Sequence, residues 1–94
     1  MRLTFEWDEN KATANIQKHH VSFTEAKTIF DDPFLWTFLD SEHSEGEQRY
    51  VSIGTSAKGR TLVVVHTERH PNIRIISCRK ATASERKAYA KTNF

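Results

Sequence analysis

Residues 61–80 read TLVVVHTERHPNIRIISCRK. Two runs of β-branched and apolar residues, Arg60 to Arg69 and Ile73 to Lys80, flank His70-Pro71-Asn72. Such runs on either side of a short turn segment signal paired strands. Three-residue hairpin loops commonly end in a residue of positive φ, and Asn tolerates that conformation. A loop of this kind predicts that Arg69 pairs with Ile73. Glu68 then lies opposite Arg74, His66 opposite Ile76, Val64 opposite Cys78 and Leu62 opposite Lys80. Alternation predicts one face with Leu62, Val64, His66, Glu68, Arg74, Ile76, Cys78 and Lys80. The other carries Val63, Val65, Thr67, Arg69, Ile73, Ile75, Ser77 and Arg79. A loop one residue shorter would slip this register and regroup the side chains.

The rest of the chain builds around that hairpin. Leu3, Phe5 and Trp7 alternate with polar residues, a short strand signal. Asp8 is a good N-cap for a helix from Glu9 to about His19. Ser22-Phe-Thr-Glu25 reads as a capping box, with Val21 and Ala26 placed as a hydrophobic staple. The helix it opens runs to about Phe30 and stops at Asp32-Pro33. Phe34 to Leu39 and Gln48 to Gly54 read as strands, separated by a polar loop from Asp40 to Glu47. Thr82-Ala-Ser-Glu85 is a second capping box, opening a last helix to about Lys91. The order β-α-α-β-β-β-β-α predicts an α+β fold: an antiparallel sheet with two N-terminal helices and a C-terminal helix to one side.

The 94 residues suit one domain, 1–94, with a modest core. Hydrophobic content of 37% and charged content of 28% describe a globular chain rather than a disordered one. The lone Cys78 rules out an intrachain disulfide, and the absence of any CxxC pair rules out a zinc ribbon. No apolar run reaches the ~18 residues of a membrane span, and MRLTFEWDEN lacks the apolar region of a signal peptide. These features lead to an expectation of a cytoplasmic protein. Net charge is +2, but residues 1–47 hold four Lys/Arg and ten Asp/Glu, whereas residues 48–94 hold ten and two. A basic half of this kind suits a nucleic-acid partner. The alternative is that the two halves neutralise each other in the fold.

The hairpin carries the candidate chemistry. RNA cleavage needs a base or orienting group for the 2′-OH, a cation for the five-coordinate phosphate, and an acid for the departing 5′ oxygen. His66 and Glu68 are the proton-transfer candidates. Arg69, Arg74, Arg79 and Lys80 could hold phosphate, with Arg49 on the preceding strand, because an arginine fork matches two phosphate oxygens. Each has a plainer reading. Glu68 and Arg74 would also make an ordinary cross-strand ion pair, and His66 on an apolar face reads as a hydrogen-bonded core histidine. His66 and His70 have a spacing that suits metal ligands on a helix, not on a strand and turn, so no metal or other cofactor is expected. The charged run in the last helix reads as a solvated face.

Four stretches, FEWDENKATANIQKHHVSFTEA (5–26), FDDP (30–33), DSEHSEGEQRYVSIG (40–54) and VVVHTERHPNIRIISCRKATASER (63–86), resemble the BrnT family of bacterial toxins. The resemblance implies a RelE-like ribonuclease fold, RNA cleavage that inhibits translation without a metal, and a cognate BrnA-like antitoxin with a ribbon-helix-helix DNA-binding part. It further implies that operator DNA is contacted only through the antitoxin. The family's HTER segment falls on His66, Thr67, Glu68 and Arg69, its RIIS-x-R segment on Arg74 to Ser77 and Arg79, and its HSxGExR segment on His43, Ser44, Gly46, Glu47 and Arg49. His20 departs from the glycine that many relatives carry after the KH pair, where a helix end needs positive φ. The expected site therefore has His66, Glu68, Arg69 and Arg79 as catalytic residues and Arg49, Arg74 and Lys80 as RNA-binding residues. A non-catalytic basic module that binds RNA or a partner chain is the alternative, as is a basic half that serves mainly to dock an acidic antitoxin segment.

Overall fold

Three residues of β1 (Thr4–Glu6) begin a computed structural model that describes residues 3–69 and 71–93. Helix α1 (Glu9–His19) and the single-turn α2 (Phe23–Ala26) follow, the latter tightening into a 3-10 turn over Lys27–Asp31. Strands β2 (Trp36–Asp40), β3 (Arg49–Thr55), β4 (Thr61–Arg69) and β5 (Asn72–Lys80) then lead to helix α3 (Ala83–Asn93). The sheet order is β1-β5-β4-β3-β2. Consecutive strands β2 to β5 pair antiparallel, as expected from the short loops between them, while β1 joins β5 in parallel.

The helix ends follow their sequence signals. The Asp8 carboxylate accepts hydrogen bonds from the Asn10 and Lys11 amides. At the other end of α1, His20 adopts the left-handed conformation at φ 59°, and its N–H closes onto the Ile16 carbonyl at 2.8 Å. The Thr82 capping box is complete: its hydroxyl accepts from the Glu85 N–H, and the Glu85 carboxylate accepts from the Thr82 N–H. The Ser22 box is half formed. Ser22 Oγ accepts from the Glu25 N–H at 3.0 Å, but the Glu25 carboxylate turns inward to Arg60 and the Ser56 hydroxyl. The long-range ion pair wins because Glu25 is buried, and a buried carboxylate needs a charged partner.

The central hairpin keeps the predicted register at its base and departs from it at its tip. Leu62 lies opposite Lys80 and Val64 opposite Cys78, as expected. A β-bulge then falls between Val65 and His66, so Val65 pairs with Ser77 but His66 with Ile75, and Ile76 is the extra residue. Beyond it Thr67 faces Arg74, Glu68 faces Ile73 and Arg69 faces Asn72. The expected Glu68–Arg74 pair does not form. The predicted loop includes His70, which lies outside the described residues. The bulge also regroups the faces: Ile73 and Ile75 turn to the buried side, and Arg74 turns to the side of Arg69.

The two faces are covered differently. Leu62, Val64, Ile75 and Cys78 pack under Val21, Phe23, Ala26 and Ile29. On the other face Ile53 and Val63 pack against Ala81 and Tyr89 of the α3 segment. The helices thus divide between both faces rather than lying to one side. Tyr89 anchors α3 by hydrogen-bonding Asp32, whose carboxylate also accepts the Thr55 and Phe34 amides. Helix α1 runs beside the free margin of β5 where β1 ends. There the buried Asn15 side chain pairs with both the N–H and the C=O of Cys78, at 3.1 and 2.8 Å, and also donates to the Val21 carbonyl. One amide side chain thus stands in for a strand.

Candidate functional site

Alternation along β3, β4 and β5 sets a row of polar residues across the face that α3 leaves open. Asp40, Arg49, Thr67, Arg74 and Glu6 are successive register partners on the five strands, with Arg69 next to Thr67's row at the strand end. Three arginines from three strands therefore converge. They line a hollow of about 210 Å³ together with Lys11, Glu45, Glu47, Thr67 and Ile76. Lys11 reaches it because α1 flanks β5: Lys11, Asn15 and His19 are spaced four apart and form one stripe on the helix. Nothing in the sequence flagged Lys11, since the residues that share its hollow come from strands and a loop more than 30 residues away.

Carboxylates of the acidic half meet these cations. Arg69 forks onto Glu47 through Nε and Nη2, at 2.9 and 3.1 Å, and Arg74 Nη1 donates to Glu6 at 2.9 Å. Hydrogen bonds from Arg69 hold the Glu47 carboxyl below its usual range. Asn72 and then Arg74 do the same for Glu6. Both acids are therefore ionised at neutral pH. With Glu25 on Arg60, these contacts show the two oppositely charged halves of the chain pairing across the fold. Arg49 lies between Asp40 and Thr67 in the register and borders a second hollow with Glu42, His43 and Glu45. His43 hydrogen-bonds Asp40 at 3.0 Å.

Arg79 shares the open face but stands opposite Val63, toward α3, where it forks onto Glu85 at 2.7 and 2.9 Å. That pairing pulls the Glu85 carboxyl down to about 2. Lys80 is at the far end of β5, opposite Leu62 and on the helix-covered side.

His66 and Glu68 lie on the face opposite the arginine row. Glu68 is exposed at the strand end. His66 is 1% exposed, its Nε2 2.7 Å from Ser52 Oγ, which in turn lies 2.7 Å from Thr37 Oγ1. Its ring packs edge-on to Phe30 and stacks on Tyr50, with centroids 5.1 and 5.9 Å apart. Burial pushes its pKa down to about 4, so the ring is neutral at pH 7. It belongs to a core hydrogen-bond chain, and no side chain on that chain reaches the arginines. Cys78 is buried, its thiol pushed up to about 12 by burial, and it is inert as a nucleophile. Among the described residues no group of three or more His, Cys, Asp and Glu is arranged to hold a metal, and no helix is long and apolar enough to cross a membrane.

An arginine cluster with ionised carboxylates among it can bind a phosphodiester and stabilise charge that builds on it. Comparison with known proteins bears on the family and the fold. The family model described as "Ribonuclease toxin, BrnT, of type II toxin-antitoxin system" matches residues 7–85. The fold is similar to that of the Brucella abortus ribonuclease toxin BrnT, solved at 1.1 Å. The TM-score is 0.64 at 21% identity, covering 87% of this chain and 99% of that one. No curated protein sequence matches the chain.

Proposed function

This chain belongs to the BrnT family of ribonuclease toxins of type II toxin–antitoxin systems, and from that premise we propose that it cuts RNA on the open sheet face, without a metal. Arg49, Arg69 and Arg74 bind the scissile phosphate and its neighbours, with Arg79 engaging the strand further along. The single observation that carries this reading is the convergence of three arginines from three strands beside ionised Glu47 and Glu6.

In this reading the arginines supply the positive charge that the five-coordinate phosphate needs. RNA phosphate displaces Glu47 from Arg69, and the freed carboxylate takes the 2′-OH proton as that oxygen attacks phosphorus. The P–O5′ bond breaks, leaving a 2′,3′-cyclic phosphate, and the departing 5′ oxygen takes its proton from water in the open hollow. Glu47 takes this role in preference to His66 and Glu68, which lie across the sheet from the bound phosphate. His66 acts as a positioning residue that holds β3 and β4 in register through Ser52. The cut inhibits translation, and a BrnA-like antitoxin with a ribbon-helix-helix part neutralises the toxin and contacts operator DNA. The setting is the cytoplasm.

The test is incubation of the purified protein with RNA in EDTA, alone and with translating ribosomes. Arg69→Ala, Arg74→Ala and Glu47→Gln are each expected to lower cleavage at least ~100-fold, the scale of losing one transition-state donor. Unfolding curves of each variant run alongside. Cleavage at the parental rate by both arginine variants would remove the site from this face.

A further inference from the structure

One register step from the arginine row, the open face changes character. Phe38, Val51, Val65 and Ser77 are successive partners across β2 to β5. Two residues along a strand span about 6.8 Å, so this row runs beside the charged one at a single strand repeat. In the next row, Trp36, Ile53 and Val63 pack against Ala81 and Tyr89, while Arg79 at its end stays partly exposed. The middle row is covered only in part: Val51 packs against that cluster, and Val65 and Ser77 are half-buried. Val51, Val65 and Ser77 floor a hollow of about 370 Å³ together with Val63, bordered by His19, Asp40 and Arg79. Phe38 does not line the hollow but neighbours it as the β2 partner of Val51; it is 42% exposed and leans on Trp36, ring centroids 5.5 Å apart.

A large exposed ring is ordinary by itself. Its position is not: it stands on the same face as three arginines, one repeat away, with polar groups around the hollow. A polyanion held by the arginine row would carry its own planar apolar groups past this point. We propose that the hollow is a nucleobase subsite, in which a base next to the bound phosphate stacks on Phe38 over the Val51–Val65 floor. The inference rests on RNA binding at the arginine row. Stacking on an aromatic tolerates any base, so the subsite fixes where the strand lies, while Asp40, Ser77 and His19 are the groups able to discriminate between base edges.

The experiment uses a single-stranded RNA made uncleavable by 2′-O-methylation and a set of versions with an abasic residue at each position in turn. Parent protein is expected to lose about tenfold in affinity at one abasic position, within the range of base–aromatic stacking. Phe38→Ala should bind the intact oligonucleotide about tenfold more weakly and be indifferent to that abasic position. Phe38→Trp should restore both, and Leu39→Ala, on the opposite face of the same strand, should behave as parent. If Phe38→Ala binds the intact RNA as parent does, or still loses tenfold at that position, the subsite is refuted. The same holds if Phe38→Ala weakens only the antitoxin complex, which would make this row a protein dock. Parent protein that neither binds nor cuts RNA would instead overturn the proposed function itself.

Discussion

Acidification should unfold this protein through His66 in a way that one substitution can isolate. Its folded pKa lies near 4, against about 6.5 for a free histidine. The unfolded chain therefore takes up the proton first. Stability from the neutral, buried ring is fully present above pH 6.5, declines as the pH falls from 6.5 toward 4, and is exhausted below that. At pH 4.5 the unfolded histidine binds its proton with a factor of about 100 and the folded one with about 1.3. The ratio corresponds to roughly 2.5 kcal/mol of lost stability. His66→Gln keeps a hydrogen-bonding group next to Ser52 and removes the titration. Urea unfolding at pH 7.5 and 4.5 should show the parent losing about 2.5 kcal/mol more than His66→Gln between the two pH values. An equal loss in both proteins, or an NMR titration of His66 near 6.5, would refute the reasoning.

Other perturbations address other joints of the fold. Arg60→Met removes the main ionic partner of the buried Glu25 carboxylate, leaving the Ser56 hydroxyl and the more distant Lys58, and should lower the urea midpoint of unfolding more than Lys58→Met does. Asn15→Leu leaves the N–H and C=O of Cys78 without their partner. It should destabilise by at least ~2 kcal/mol, with faster hydrogen exchange at the Cys78 amide. His20→Gly relieves the left-handed backbone at φ 59° and should raise stability by ~0.5–1 kcal/mol. Arg74→Ala should reduce the slope of log affinity for single-stranded RNA against log salt by about 0.7, one phosphate contact.

Local signals in the sequence were strong wherever a side chain acts on its own neighbourhood. Asp8, Ser22 and Thr82 begin their helices as their side-chain oxygens demand, and His20 takes the conformation its place after α1 requires. The β4–β5 pairing was legible at its base from β-branched content together with a three-residue turn. The tip was not, because a bulge has no composition: Ile76 looks like any other strand isoleucine. Missing it put Arg74 on the face of His66 and Glu68, when it faces the same way as Arg69 and Arg49. The arginines were found from charge and resemblance. Their carboxylate partners and Lys11 depend on which strands and helix lie side by side, a long-range matter. His66 was legible as a histidine on an apolar face, and that plainer reading describes its surroundings.

The bulge has a consequence for how the hairpin tolerates change in length. Ile76 alone stands opposite no partner of β4. Removing it would join Ile75 to Ser77 and leave every cross-strand neighbour, and every inside-or-outside assignment, as it was. What would go is the bend and extra twist that an unpaired residue puts into a strand, and with it the angle at which Arg74 is presented. A single deletion here should therefore uncouple two properties that mutations usually damage together. The chain would keep its fold and lose the aim of one arginine. The hairpin is built like a ruler with one spare division, and the spare division sets the direction in which the working end points.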